Sequence, residues 1–209
     1  MELVVHTFLT VDGVMQAPGG AEEDTSGGFT RGGWLVPFAD EDFGAIVNGW
    51  FANAEMILLG RSTYDMMQAY WSQVTDPDNL VAAKLNGLPK YVASSTLHDP
   101  AWNNTTVLSD DVIEQVRKLK EEPGGELQVH GSCGLARTLH QAGLIDEYRL
   151  LVVPVAVGKG KRLFPDDAPA TGFTLTDSRV TSRGIVYSAL RPAPFEAANV
   201  AVVDGRETA

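Results

Sequence analysis

Two kinds of apolar patterning alternate along the chain: short unbroken runs, and stripes spaced three and four residues apart. Leu3-Val4-Val5 followed by His6-Thr7-Phe8-Leu9 is a β-favouring run that stops at the turn dipeptide Asp12-Gly13, which predicts a buried first strand. From Asp40 onward Phe43, Ile46, Val47, Trp50, Phe51 and Ala54 repeat with the period of an amphipathic helix. Met56-Ile57-Leu58-Leu59 predicts a buried strand closed by Gly60, and Ser62 with Asp65 three positions on predicts a capped helix start through Met66, Met67 and Tyr70. The unit recurs. Lys90 to Ala93 reads as a strand ending at Ser94-Ser95-Thr96, and a strand over Thr105 to Leu108 leads into a helix from about Asp110 to Glu122. There Asp111 and Glu114 form a capping-box pattern and Val112, Ile113, Val116 and Leu119 face inward.

A third unit follows the Gly124-Gly125 break: a strand over Leu127 to His130, the turn Gly131-Ser132-Cys133-Gly134, and a helix to Ala142 stopped by Gly143. Tyr148 to Val157 is continuously apolar, as a strand covered on both faces requires. Phe173 to Val180 and Ile185 to Leu190 alternate and predict a closing antiparallel pair, after which Pro192 and Pro194 end the ordered domain. Together these elements predict an α/β three-layer αβα domain over residues 1–191. Its sheet is mostly parallel with a C-terminal antiparallel hairpin, and 192–209 form a tail or dimer arm in which Val200 to Val203 suit docking on a second subunit. Residues 16–33 hold six glycines, Pro18 and the acidic Glu22-Glu23-Asp24, which predicts a long and functional loop.

Composition narrows the chemistry. The 209 residues are 44% hydrophobic and 21% charged, as expected of one compact domain. Sixteen Lys plus Arg against 27 Asp plus Glu give a net charge of -11, a poor match to nucleic acid or an anionic membrane, so any phosphate site must be local. The longest apolar run, Leu150 to Val157, falls far short of the roughly 20 residues that span a bilayer, and residues 1–15 lack the pattern of an export signal. A soluble cytoplasmic protein is the expectation. With Cys133 as the sole cysteine there is no intrachain disulfide, and His6, His98, His130 and His140 show no metal-ligand spacing.

Open α/β sheets bind ligands beyond the carboxyl ends of their strands, where helix N-termini offer free N–H groups. Three turns compete for that role. Gly60-Arg61-Ser62-Thr63 suits a phosphate, and the same spacing suits an ordinary glycine turn with a serine cap. Ser94-Ser95-Thr96 offers hydroxyl donors or simply forms a turn. Gly131-Ser132-Cys133-Gly134 allows close backbone approach to a pyrophosphate, and it nearly matches a hydrolase elbow, which fails because no histidine follows His140. Cys133 beside His130 is either a nucleophile or packing. A hydride acceptor needs a proton donor or charge partner, for which Asp12, Asp40, Glu41 and Asp42 are the carboxylates near the first loop. Asp12 alternatively shapes its turn, and the other three favour a helix start.

Taken in order, Thr10-Val11-Asp12-Gly13, Leu59-Gly60-Arg61-Ser62-Thr63-Tyr64, Val129-His130-Gly131-Ser132, Leu144 to Leu150, Pro154-Val155 and Gly158 to Phe164 resemble the dihydrofolate reductase fold. They resemble more closely the C-terminal reductase domain of the bifunctional riboflavin-biosynthesis deaminase-reductase and its stand-alone bacterial relatives. The resemblance implies an NADPH-dependent reductase acting on a small pyrimidine-, pterin- or ribityl-type substrate, as a homodimer. The alternative is a ligand-binding protein on the same fold. It implies that Arg61 and Ser94, Ser95 and Thr96 lie near the 2′-phosphate of NADPH, Gly60, Ser62 and Thr63 near the diphosphate, and Gly131 to Leu135 (Gly131, Ser132, Cys133, Gly134 and Leu135) against it. Met15 and Gln16 would flank the nicotinamide, and Phe8, Asp12, Phe43 and Val47 would face the substrate. No acid stands where dihydrofolate reductases carry one, since the matching position falls near Gly44, two residues past Asp42.

Overall fold

In the computed structural model, which describes residues 1–203 and 206–208, the predicted alternation is realised. Strand β1 (Glu2–Thr10) leads through a long loop to helix α1 (Glu41–Ala52), then β2 (Ala54–Gly60), α2 (Arg61–Trp71), α3 (Leu80–Gly87), β3 (Lys90–Ala93) and β4 (Thr105–Leu108). Next come α4 (Val112–Glu121), β5 (Glu126–His130), α5 (Cys133–Gln141), β6 (Glu147–Val153), β7 (Gly172–Val180) and β8 (Val186–Ala193). Eight strands form one sheet in the order β4-β3-β2-β5-β1-β6-β8-β7, parallel through β6 and antiparallel at β8 and β7. The tail adds a separate antiparallel pair, β9 (Ala201–Val203) and β10 (Arg206–Thr208).

Alternation along each strand feeds a different core on each face. Leu3, Val5 and Leu9 of β1 pack with Leu127, Val129, Tyr148 and Leu150 under Val116 of α4 and Leu135 and Leu139 of α5. Ile57, Leu59 and Val92 face Phe51 of α1, Tyr64 of α2 and Leu85 of α3 on the opposite side. Between the cores, beneath α1, lies a buried polar strip. Arg149 Nη2 meets Glu126 at 2.7 Å and its Nε meets Glu147 at 2.7 Å, while Gln128 donates to Glu126 and to the Trp50 carbonyl. Helix α5 ends as predicted at Gly143 (φ +63), with Gly143 N–H donating to His140 and Leu144 N–H to Leu139, so the last carbonyls are satisfied.

Several sequence expectations need correction. The start of α2 is not capped by Ser62: the helix begins at Arg61 with Gly60 as an N-cap that offers no side chain, and Asp65 pairs with Arg61 at 2.7 Å instead. Strand β6 stops at Val153, because Pro154 has no N–H for a ladder. Strand β8 runs on through Pro192 to Ala193, paired with Phe173 and Gly172, so Pro192 does not end it. Helix α3 follows no apolar stripe and was not expected; Asn79 caps it by accepting from Ala82 N–H. Val200 is exposed, and the side chains of 201–203 lie outside the described residues. Among the described residues no helix is long and apolar enough to cross a membrane.

Candidate active site

A cleft of about 820 Å³ runs along β1 and past the carboxyl ends of β2, β3 and β5, the place where open α/β sheets bind ligands. At one end it meets two helix starts. Helix α2 presents Gly60, Arg61, Ser62 and Thr63, and α5 presents Gly131, Ser132, Cys133, Gly134 and Leu135. The two turns are tied together by Ser132 Oγ, which accepts from Gly60 N–H at 2.9 Å and donates to the His130 carbonyl at 3.1 Å. Gly131 and Ser132 both adopt left-handed backbone, φ +56 and +55, which turns the chain sharply from β5 into α5. A Cβ at Gly134 would meet nothing within 4 Å, and one at Gly131 only the Thr63 methyl at 3.9 Å. The backbone of this turn therefore faces open space that a diphosphate can enter.

The capping pattern separates these two helices from the others. Asp40, Asn79 and Asp111 cap α1, α3 and α4 through side-chain oxygens, whereas α2 and α5 have no side-chain cap. Their first N–H groups and the positive end of each helix dipole are left for another acceptor. A nicotinamide dinucleotide, whose phosphates are such acceptors, fits that arrangement.

The other end of the cleft is aromatic. Phe8 stacks on Trp50 with centroids 5.9 Å apart, His130 lies between Phe51 at 4.5 Å and His6 at 5.0 Å, and Val47 completes the wall. His6 and His130 are direct partners across β1 and β5. Burial first, then His130 and Arg149, hold His6 well below the ordinary imidazole value, and burial brings His130 down to about 3. Both rings are neutral at pH 7. Arg149, which only donates, reaches His6 Nε2 at 3.5 Å, so the His6 proton belongs on Nδ1, an atom without a partner. Glu23, in the cleft wall, is raised by burial although Gly19 and Gly20 N–H donate to it.

Met15 and Gln16 also line the cleft, and their loop is clamped. Met15 N–H donates to Lys161, Lys161 N–H to Gln16 Oε1, Gln16 Nε2 to the Asp24 and Ser26 carbonyls, and Trp34 Nε1 to the Gln16 carbonyl. Other candidates lie elsewhere. Asp12 accepts from Val157 and Gly158 N–H and from Thr10 Oγ1, pinning the loop after β6; burial raises its carboxyl but these bonds bring it below the ordinary value. Asp42 accepts from Ser182 N–H at 2.9 Å and from the Ser182 hydroxyl. Neither carboxylate lines the cleft. Phe43 stands behind Phe8 at 5.6 Å, and Ser94, Ser95 and Thr96 form an exposed turn at the end of β3, beside the Gly60 turn but outside the cleft wall. Burial pushes the Cys133 thiol up and its Sγ donates to the Arg162 carbonyl, an environment that favours the protonated thiol over the thiolate. Sequence reasoning missed His6, Trp50, Phe51 and Glu23 as wall residues: the helical stripe showed Trp50 and Phe51 as core, and cross-strand pairing, which no linear spacing reveals, makes His6 and His130 neighbours.

Sheet order, uncapped helix starts and the cleft between them define an α/β fold of the dihydrofolate reductase kind. The chain belongs to the RibD C-terminal domain family, whose pattern it matches over residues 2–187. It is 29% identical over 190 residues to the protein YyaP of Bacillus subtilis strain 168, covering 88% of this chain and 91% of that one. A putative riboflavin biosynthesis protein from Shewanella sp. PV-4 superposes with a TM-score of 0.70 at 17% identity, over 93% of this chain and 100% of that one. Dihydrofolate reductase from Enterococcus faecalis, complexed with NADP(H) and RAB-propyl, gives 0.58 at 13% identity, over 92% and 97%. The family is one of reductases.

Proposed function

We propose that this protein is an NADPH-dependent reductase that delivers a hydride to a small planar heterocycle of the pyrimidine or pterin kind, as a cytoplasmic homodimer. The observation that carries the reading is the capping contrast: the two helices that open on the cleft are uncapped, and the three others are capped by side chains. NADPH, when bound, supplies the hydride; the chain supplies position and electrostatics. The Gly131 and Ser62-Thr63 backbones hold the diphosphate. Arg61, paired with Asp65 in this structure, would hold the adenosine-side phosphate, with the Ser94 to Thr96 turn next to it. Met15 and Gln16, held by the clamped loop, would flank the nicotinamide, and Phe8, Val47 and Trp50 would hold the substrate ring flat and exclude water. With Asp42 bound to Ser182, no carboxylate of α1 lines the cleft, and Glu23, raised by burial, is the acid placed in its wall to supply a proton.

Calorimetric titration of wild type and Arg61→Ala with NADPH and NADH, followed by NADPH oxidation over pterins, aminouracils and quinones, tests this reading. Wild type prefers NADPH, and the variant loses about ten- to a hundredfold for NADPH alone. Absence of NADPH binding overturns the reading. Tight binding with no oxidation of any acceptor leaves a ligand-binding protein on a reductase fold.

A further inference from the structure

The aromatic end of the cleft extends into a compartment between α1, α2 and α3. Each helix supplies one pair of side chains four residues apart, a spacing that puts both on one face: Val47 and Phe51 from α1, Met67 and Trp71 from α2, Val81 and Leu85 from α3. Phe51 and Leu85 are buried, and the other four pack against them while staying half-buried. Charge is confined to the opposite end of α2. Helices α1 and α3 bring no charged side chain to the cleft, and α2 brings only Arg61, its first residue. Trp71 is the last residue of that helix, ten positions on and about 15 Å along the axis at 1.5 Å per residue. The compartment is thus remote from the uncapped helix start that suits a cofactor phosphate.

Apolar side chains left half-exposed on a concave wall order water that a bound apolar group releases. A charged arm would lose its own hydration here and meet no partner among these six side chains. Met67 is unbranched and polarizable, so it fits its shape to groups of different outline, and Phe51 and Trp71 offer ring faces or edges to an aromatic one. Val47 and Phe51 also belong to the wall around Phe8, Trp50 and His130, so one molecule can span both spaces.

We propose that this compartment binds an uncharged apolar arm, alkyl or aryl, carried by the substrate whose ring lies against Phe8 and Trp50. The substrate class is then a planar heterocycle with a hydrophobic substituent. Naming the substrate as carrier rests on the reductase reading; the apolar site itself does not.

The test is NMR of the methionine methyl groups in the full chain saturated with NADPH, titrated with propanol, butanol, pentanol and hexanol, and with benzyl alcohol against benzoate. The Met66 and Met67 signals should move, while those of Met1 and Met56, outside the cleft wall, stay. Affinity should rise about fourfold per added methylene, and benzyl alcohol should bind about tenfold or more tighter than benzoate. Val81→Thr, nearly isosteric, and Met67→Gln should each lower hexanol affinity about threefold or more, with NADPH affinity within about twofold and the melting temperature confirming the fold. No shift at Met66 and Met67, an affinity independent of chain length, equal binding of benzoate, or no loss in the variants overturns the proposal. Equal losses for NADPH and hexanol also overturn it, because the compartment then serves the cofactor. Turnover of pterin and quinone acceptors with and without a phenyl substituent tests the carrier: KM should be about tenfold lower for the phenyl-bearing member, and equal KM values remove the arm from the substrate. Hexanol binding in a chain that oxidises NADPH with no acceptor removes the reductase reading and leaves the apolar site, so the two failures are distinguishable.

Discussion

Lys90 is fully buried, with Nζ donating to the Leu85 and Leu88 carbonyls at 2.8 and 2.9 Å and standing 4.9 Å from the Trp102 ring centroid. It closes the carbonyl end of α3. Burial brings its ammonium down to about 8 from an ordinary value of 10.5. A folded value below the unfolded one means that the unfolded chain holds the proton more tightly between those limits, so stability rises with pH across that window. Between pH 8 and 9.5 the wild type should gain about 1.5 kcal/mol relative to Lys90→Met, by denaturant unfolding at each pH. Tyr187, raised by burial, keeps its proton in the folded state and acts in the opposite direction only above about pH 10. A pH difference identical in both proteins would show that Lys90 is not strained. From the sequence Lys90 was legible as the first residue of a strand, but its burial was not, because its partners are carbonyls of a helix that no apolar stripe announces. Asp12 is similar: its turn with Gly13 is a local signal, whereas its bonds to Val157 and Gly158 exist only in the fold.

Elements were legible where local spacing alone decides them. The stripe of Phe43, Ile46, Trp50 and Phe51 became α1, and Asp111 three residues before Glu114 became the α4 cap. Helix α3 escaped notice because its eight residues bury only Ala82 and Leu85, too few to show a period. The function of a helix start was legible as a glycine turn, but the missing cap was not, since Ser62 stands at a spacing that imitates one. That absence can be reversed. Gly60 has the extended backbone of an ordinary N-cap, φ -78 and ψ 157, and a Cβ there would lie 3.6 Å from Ser132 in normal contact. In Gly60→Asp the carboxylate can accept from Ser62 or Thr63 N–H and stabilise α2 by roughly a few tenths of a kcal/mol. The same charge would compete with a cofactor phosphate, so NADPH affinity should fall about tenfold or more while the melting temperature holds or rises. Undiminished NADPH binding in a stabilised variant would place the diphosphate elsewhere. Gly131→Val differs: space is open, so its cost comes from a β-branched residue at φ +56 and from methyl groups where the diphosphate enters.

At the scale of the molecule, the α/β layering was legible from alternating strands and helices, but the insertion of β5 between β1 and β2 was not, because strand order is set by packing over long sequence separations. That order leaves two sheet edges of unequal character. Strand β4 exposes an edge of four residues, too short to recruit a partner strand. Strand β7 exposes one of nine residues, with Leu175 57% and Val180 69% exposed and Val186 of β8 43% exposed beside them. A long edge with apolar side chains invites pairing with another chain unless it is covered, and a second copy of this protein is the partner the homodimer reading supplies. Two copies of a chain with net charge -11 repel each other, so pairing must rest on apolar contact and strand hydrogen bonds, and added salt should tighten it by screening. Sedimentation velocity should show a dimer at about 10 μM, with the dissociation constant falling as salt rises, and Leu175→Lys with Val180→Lys should yield monomer that still binds NADPH. Dimer in the charged variant would move the interface away from β7, and a wild-type monomer at that concentration would show that the bulge between Leu175 and Asp177 suffices to keep this edge unpaired.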